Sequence, residues 1–159
     1  MATWQFSIAL VPTLWAEKHG FSCSDFYDDE GYDTSIAWGE NQPTEGFEVL
    51  LSKILPESKS WSNNLLCWGD EKSNDIQVWH EDNKVEEIHV RLDLNQNLNE
   101  FIEKLVDLAN DLNCSFFYPE LSYISKASEY EVKTSLQKSD ALKFVKNPHE
   151  FLKGLSHEE

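Results

Sequence analysis

Residues 75–94 constrain the fold of this chain more than any other stretch. Over 75–81 the side chains alternate, with Ile76 and Val78 on one face and Gln77, Trp79 and Glu81 on the other. Asp82 and Asn83 make a tight turn, and 84–94 alternates again. There Ile88, Val90, Leu92 and Leu94 share a face, while Glu87, His89, Arg91 and Asp93 share the opposite one. Successive side chains of a strand point to opposite faces, so two such runs across a two-residue turn specify an antiparallel hairpin with one apolar face. The next segment is the clearest helix. Asn97 supplies a cap with Glu100 as reciprocal partner, and Leu98, Phe101, Leu105, Leu108 and Leu112 form an apolar stripe that Ile102 and Ala109 widen.

The other elements are read in the same way. Residues 4–11 alternate through Trp4, Phe6 and Ile8 and then run continuously apolar to Pro12, a strand signature. Residues 12–33 form a long excursion, most acidic over 25–33, and 34–38 are a short second strand closed by Gly39. Phe47, Leu50, Leu51 and Ile54 give 43–55 a helical spacing that Pro56 ends. Residues 57–64 are a polar loop around Trp61, 65–68 a strand, and 114–118 another strand ended by Pro119. A short helical run over 141–145 follows Ser139. A second cap signature at Asn147, Pro148, His149 and Glu150 opens a last helix with Phe151, Leu152 and Leu155 on its apolar side. The order predicts an α+β fold in one domain, 1–159. A single mainly antiparallel sheet would carry the helices at 43–55 and 98–112 on one face, with a C-terminal helical segment at an edge or end. A ferredoxin-like arrangement is compatible with this order, and these signals leave the strand order open.

Charge narrows the function. The chain has 29 Asp and Glu against 13 Lys and Arg, a net charge of -16, and 40% of its residues are hydrophobic, so the acidity belongs to a folded protein. The excess is concentrated: 1–57 hold ten acids against two bases and 58–118 twelve against five, whereas 119–159 are nearly balanced. All six Trp lie between Trp4 and Trp79. An acidic, aromatic surface suits a basic protein partner. Nucleic acid is excluded as a partner, because phosphates repel such a surface and Arg91 is the only arginine. An anionic membrane surface would be repelled as well, and no apolar run approaches the ~18 residues of a spanning helix. The first residues lack the basic region of a signal peptide, and three Cys without paired spacing read as reduced thiols. The expectation is a soluble, cytoplasmic protein.

No motif of catalysis or cofactor binding is present. Asp25, Asp28, Asp29, Glu30 and Asp33 could offer oxygen ligands to calcium, but their order is wrong for an EF-hand loop. The alternatives are an acidic surface loop, or a loop that meets a basic partner through Phe26, Tyr27 and Tyr32. His80, His89 and Cys67 suggest a transition-metal site only loosely, since periodicity puts the two His on opposite faces. No metal and no cofactor is expected. Cys67 and Cys114 lie in apolar strands, and the many carboxylates allow pairs everywhere without selecting one. Trp4, Trp38 and Trp68 fall in strands and read as core. Trp15 and Trp61, in polar loops, and Trp79, on the polar face of the hairpin, are candidates for exposed anchors. An ion pair across the sheet accounts for Arg91.

The hairpin and helix over 75–112 and the closing stretch Ser-Asp-Ala-Leu-Lys-Phe-Val-Lys-Asn-Pro-His-Glu-Phe-Leu at 139–152 resemble small, acidic, uncharacterised bacterial proteins. Some of those look like immunity partners of secreted toxins. The resemblance implies a small cytoplasmic binder and transfers no functional residue. Two classes of function follow. One is a binding protein that docks a basic partner, with Asp28, Asp29, Glu30, Tyr32, Trp61 and Trp79 at the interface. The other is a small hydrolase or sugar-binding module that uses Trp and carboxylates on a concave surface.

Overall fold

A computed structural model describes residues 2–145. The elements in chain order are β1 (Gln5–Pro12), α1 (Thr13–Lys18), β2 (Tyr27–Asp28), β3 (Gly31–Tyr32), α2 (Ser35–Trp38), α3 (Glu48–Ser52), β4 (Glu57–Ser58), β5 (Leu65–Gly69), β6 (Asp75–Glu81), β7 (Lys84–Asp93), α4 (Asn99–Asp111), β8 (Cys114–Tyr118), β9 (Tyr123–Ser125) and α5 (Glu129–Gln137). Among the described residues, seven strands form one antiparallel sheet in the order β4-β5-β6-β7-β1-β8-β9, and β2 pairs with β3 in a separate ribbon. This is the expected α+β class. The four central strands, β6-β7-β1-β8, have the order of a ferredoxin-like split βαβ: β1 and β6 flank β7, while β7 and β8 flank β1.

The hairpin forms as its alternation requires. Ile76 pairs with Val90 and Val78 with Ile88, and all four are buried on the helix-covered face. Asp82 and Asn83 have φ of 51° and 63°, the left-handed pair of a tight hairpin turn whose twist matches the strands. Phe101, Ile102, Leu105, Leu108 and Ala109 of α4 close over this face. Leu51 beside α3's Ser52, Trp38 of α2, and Val132 and Leu136 of α5 complete the same core. The opposite face is divided. Over β1 and β8 it carries Ala9, Val11 and Phe117, which pack with Trp15, Ala16 and Phe26. Burial on both faces explains why β1 changes from alternating to continuously apolar. Over β5, β6 and β7 the same face keeps Cys67, Asp75, Gln77, Trp79, Glu87, His89 and Arg91.

Several expectations are corrected. Residues 34–38 are not a strand: Ser35–Trp38 is the helix α2. β1 pairs with β7 only as far as Leu10 and Ile88, so the first residues of β7 lack a strand on that side. Side chains from this segment take its place. The Thr34 hydroxyl donates to the Glu86 carbonyl at 2.9 Å, and Gln42 both accepts from the Val85 N–H at 2.6 Å and donates to its carbonyl at 3.0 Å. The helix over 43–55 shrinks to Glu48–Ser52, because Gly46 at φ +83° breaks the run before it. Trp15 is not exposed in a polar loop. It lies in α1, is buried, and stacks on Phe26 at 4.7 Å. Trp38 is core, but in a helix. Trp4 is only half-buried. Asn97 sits one residue outside the cap of α4, where its side-chain oxygen accepts from the Asn99 N–H at 3.1 Å. The loop over 57–64 includes a short edge strand, β4. The helix expected from Asn147 onward lies outside the described residues.

Candidate functional site: an acidic, aromatic recess

Two segments converge on the polar half of the sheet. The ribbon β2–β3 turns tightly because the Asp28 carboxylate accepts from the Glu30 N–H at 2.8 Å. It is held to the body by the Tyr27 hydroxyl, which donates to the Pro119 carbonyl at 3.1 Å, and by Tyr32, whose ring meets Phe117 edge-on at 5.3 Å. From the other side, the loop before β5 brings Trp61 edge-to-face onto Trp79, with ring centroids 5.3 Å apart. Aromatic pairs favour this geometry, which positions the rings without burying them fully. Trp61 remains 66% exposed.

Between ribbon and sheet lies a recess of about 360 Å³, lined by Asp28, Glu30, Asp33, Glu86 and Glu87 together with Tyr32, Thr34 and Trp79. Among the described residues, no Lys or Arg lines it. Burial pushes the Glu87 carboxyl above its usual range; the Tyr32 hydroxyl, lying against it as a donor, draws it back in part, and Asp33 adds to the rise. Glu86 is raised as well, by burial and then by Glu81, Asp33 and Asp82. The Tyr32 phenol is pushed far up by burial and by Glu87. Carboxylates crowded in this way gain from a cation that reaches them.

The structure brings several of the residues that the sequence put at an interface close together. Asp28, Glu30, Tyr32 and Trp79 share the recess, and Trp61 stands against Trp79. Asp29 is exposed at the tip of the ribbon, outside the lining. Asp33, Glu86 and Glu87 were not anticipated. The turn alone does not give Glu87: a two-residue turn after Glu81 would set Glu86 opposite Trp79, and a register shift between Trp79 and His80 sets Glu87 there instead.

On the far side of the Trp61–Trp79 pair is a second recess of about 290 Å³, whose lining includes Lys59, Trp61, Cys67, Glu71, Asp75 and Gln77. Arg91 grips Asp75 with two parallel bonds, Nε to Oδ1 at 2.7 Å and Nη2 to Oδ2, between residues paired across β6 and β7. This is the expected ion pair. Burial pushes the Asp75 carboxyl up and Arg91 pulls it back. His89 Nε2 meets the Ser7 hydroxyl at 2.9 Å, and burial with the nearby Arg91 lowers its imidazole to about 4, so the ring is neutral at physiological pH. Burial, then Asp75 and Glu71, raise the Cys67 thiol, which makes it a poor nucleophile. Among the described residues, no group of three His, Cys, Asp or Glu side chains is placed to hold a metal ion, and no helix is long and apolar enough to cross a membrane.

Fold and site together define an α+β protein with one antiparallel sheet, half of whose second face carries an acidic, aromatic recess beside a tryptophan pair. The chain matches no protein-family model, no curated protein and no solved structure.

Proposed function

We propose that this chain is a cytoplasmic binding protein that docks a basic protein, as an immunity-type partner of a secreted toxin would. The observation that supports this reading most is the first recess: among the described residues, five carboxylates, two aromatic rings and no basic side chain converge on one cavity. A Lys or Arg side chain entering it would exchange water for carboxylates and lie against the Trp79 ring, a cation–π contact strengthened by partial burial. A desolvated aromatic anchor of this kind carries much of the affinity in protein interfaces. The net charge of -16 would steer a basic partner from a distance and repel phosphate backbones. Acids on the ribbon, Asp28, Asp29 and Glu30, would form the rim, and Trp61 the exposed aromatic edge.

Capture from the protein's own cells, followed by association kinetics with the captured protein, tests the reading. A basic partner is expected, and its association should slow at least tenfold when Asp28, Asp29 and Glu30 are all changed to Lys, as expected for a steered encounter. An acidic partner, or an unchanged rate in the triple variant, would contradict it.

A further inference from the structure

The second recess contains a polar group that the fold leaves unmet. Gln77 is 7% exposed, in the middle of β6, and its side chain lines the recess. Its neighbours are engaged: Asp75 with Arg91, His89 with Ser7, and the Cys67 thiol with Ser60. The Gln77 carboxamide itself has no hydrogen-bond partner among the described residues. Its amide atoms are open to the recess rather than sealed in the core, so they are free to bond a molecule that enters it.

The surroundings specify the chemistry of that partner. A carboxamide offers two donors and an acceptor side by side. Lys59 adds donors at the rim, Glu71 and Asp70 add acceptors, and the mostly exposed indole of Trp61 forms one wall. With Asp75 held by Arg91, Asp70 and Glu71 outnumber Lys59, which disfavours an anion, and the groups together offer mixed donors and acceptors. They suit hydroxyl groups, each of which both donates and accepts. A pyranose ring presents several hydroxyls around its edge and an apolar C–H face that lies flat on an indole. We propose that this recess is a saccharide-binding site. Gln77 bonds adjacent ring hydroxyls, Trp61 covers the C–H face, and Lys59 and Glu71 hold hydroxyls at the rim. It shares Trp61 with the proposed protein interface but not Gln77, so the Gln77 response tells the two readings apart.

The test is a titration of the isotope-labelled protein with D-glucose, D-galactose and N-acetyl-D-glucosamine in turn, up to tens of millimolar. It reads the Gln77 carboxamide and Trp61 indole resonances, with L-arginine as the contrast. At least one sugar should shift both sets. Gln77→Leu should weaken that sugar roughly tenfold, the worth of one hydrogen bond, and Trp61→Ala should do the same with an unchanged melting temperature. If Gln77→Leu does not fold, Trp61→Ala decides alone. No shift with any of the three sugars overturns the proposal, as does an unchanged affinity in the folded variants. A response to arginine alone overturns it in favour of a cation pocket.

Discussion

His89 shows how one residue reports on the polar half of the sheet. Its ring is lowered to about 4, chiefly by burial and then by Arg91. The unfolded chain takes up a proton on this ring near pH ~6.5, and the folded chain does so only near its lowered value. His89 therefore removes stability as pH falls through that window, up to about 3 kcal/mol at the bottom, and removes none above it. Asp75 and Glu87 act in the opposite sense, because their raised carboxyls take up protons earlier in the folded state. A single melting curve mixes these contributions. The difference between the native chain and His89→Gln isolates one of them: urea midpoints of the two should be close at about pH 7, and the variant should lead at about pH 4.5. Equal midpoints at both pH values would show that the ring is not shielded from water. The identity of the site was partly legible at this scale. Trp79 and Tyr32 stood out as aromatic residues among acids, but Trp15 had the same sequence signature. Only contact with Phe26 assigns it to the second core.

At the scale of elements, the hairpin β6–β7 and helix α4 were readable because each satisfies its own pattern. Alternation, turn and apolar stripe agree without help from distant residues. Truncating Ile88 to Ala removes a fully buried side chain at the centre of that core and should cost ~2–5 kcal/mol. Glu103→Ala, on the exposed side of α4, should stay within about 0.5 kcal/mol. Urea unfolding of both variants checks this, and similar costs would mean that the faces are assigned wrongly. Elements that depend on distant partners were not readable. Residues 34–38 have a strand-like composition, yet they fold as α2, where the end of β1 leaves the backbone of β7 open to Thr34 and Gln42. The strand β4 is two residues long and exists only through β5. A missed signal did exist for α5: Ser128 caps it by accepting from the Glu131 N–H at 3.1 Å, the spacing of a capping box.

At the scale of the whole molecule, a split βαβ sheet puts apolar packing on both faces of β1 and β8 but on only one face of β6. The polar residues of the hairpin are thereby gathered beside the acidic ribbon. This is why residues as distant in sequence as Asp28 and Glu87 share one cavity. If the cavity receives a cation from a basic partner, as proposed above, charge governs the encounter and Trp79 governs retention. The most direct test is the association and dissociation rates of the captured partner at low and high salt, for the native chain and for Trp79→Ala. The Debye length falls from ~10 Å at 0.1 M to ~3 Å at 1 M, so the native association rate should drop steeply with salt. Trp79→Ala should keep that salt dependence and dissociate at least tenfold faster. An association rate indifferent to salt, or a dissociation rate indifferent to Trp79, would contradict the account.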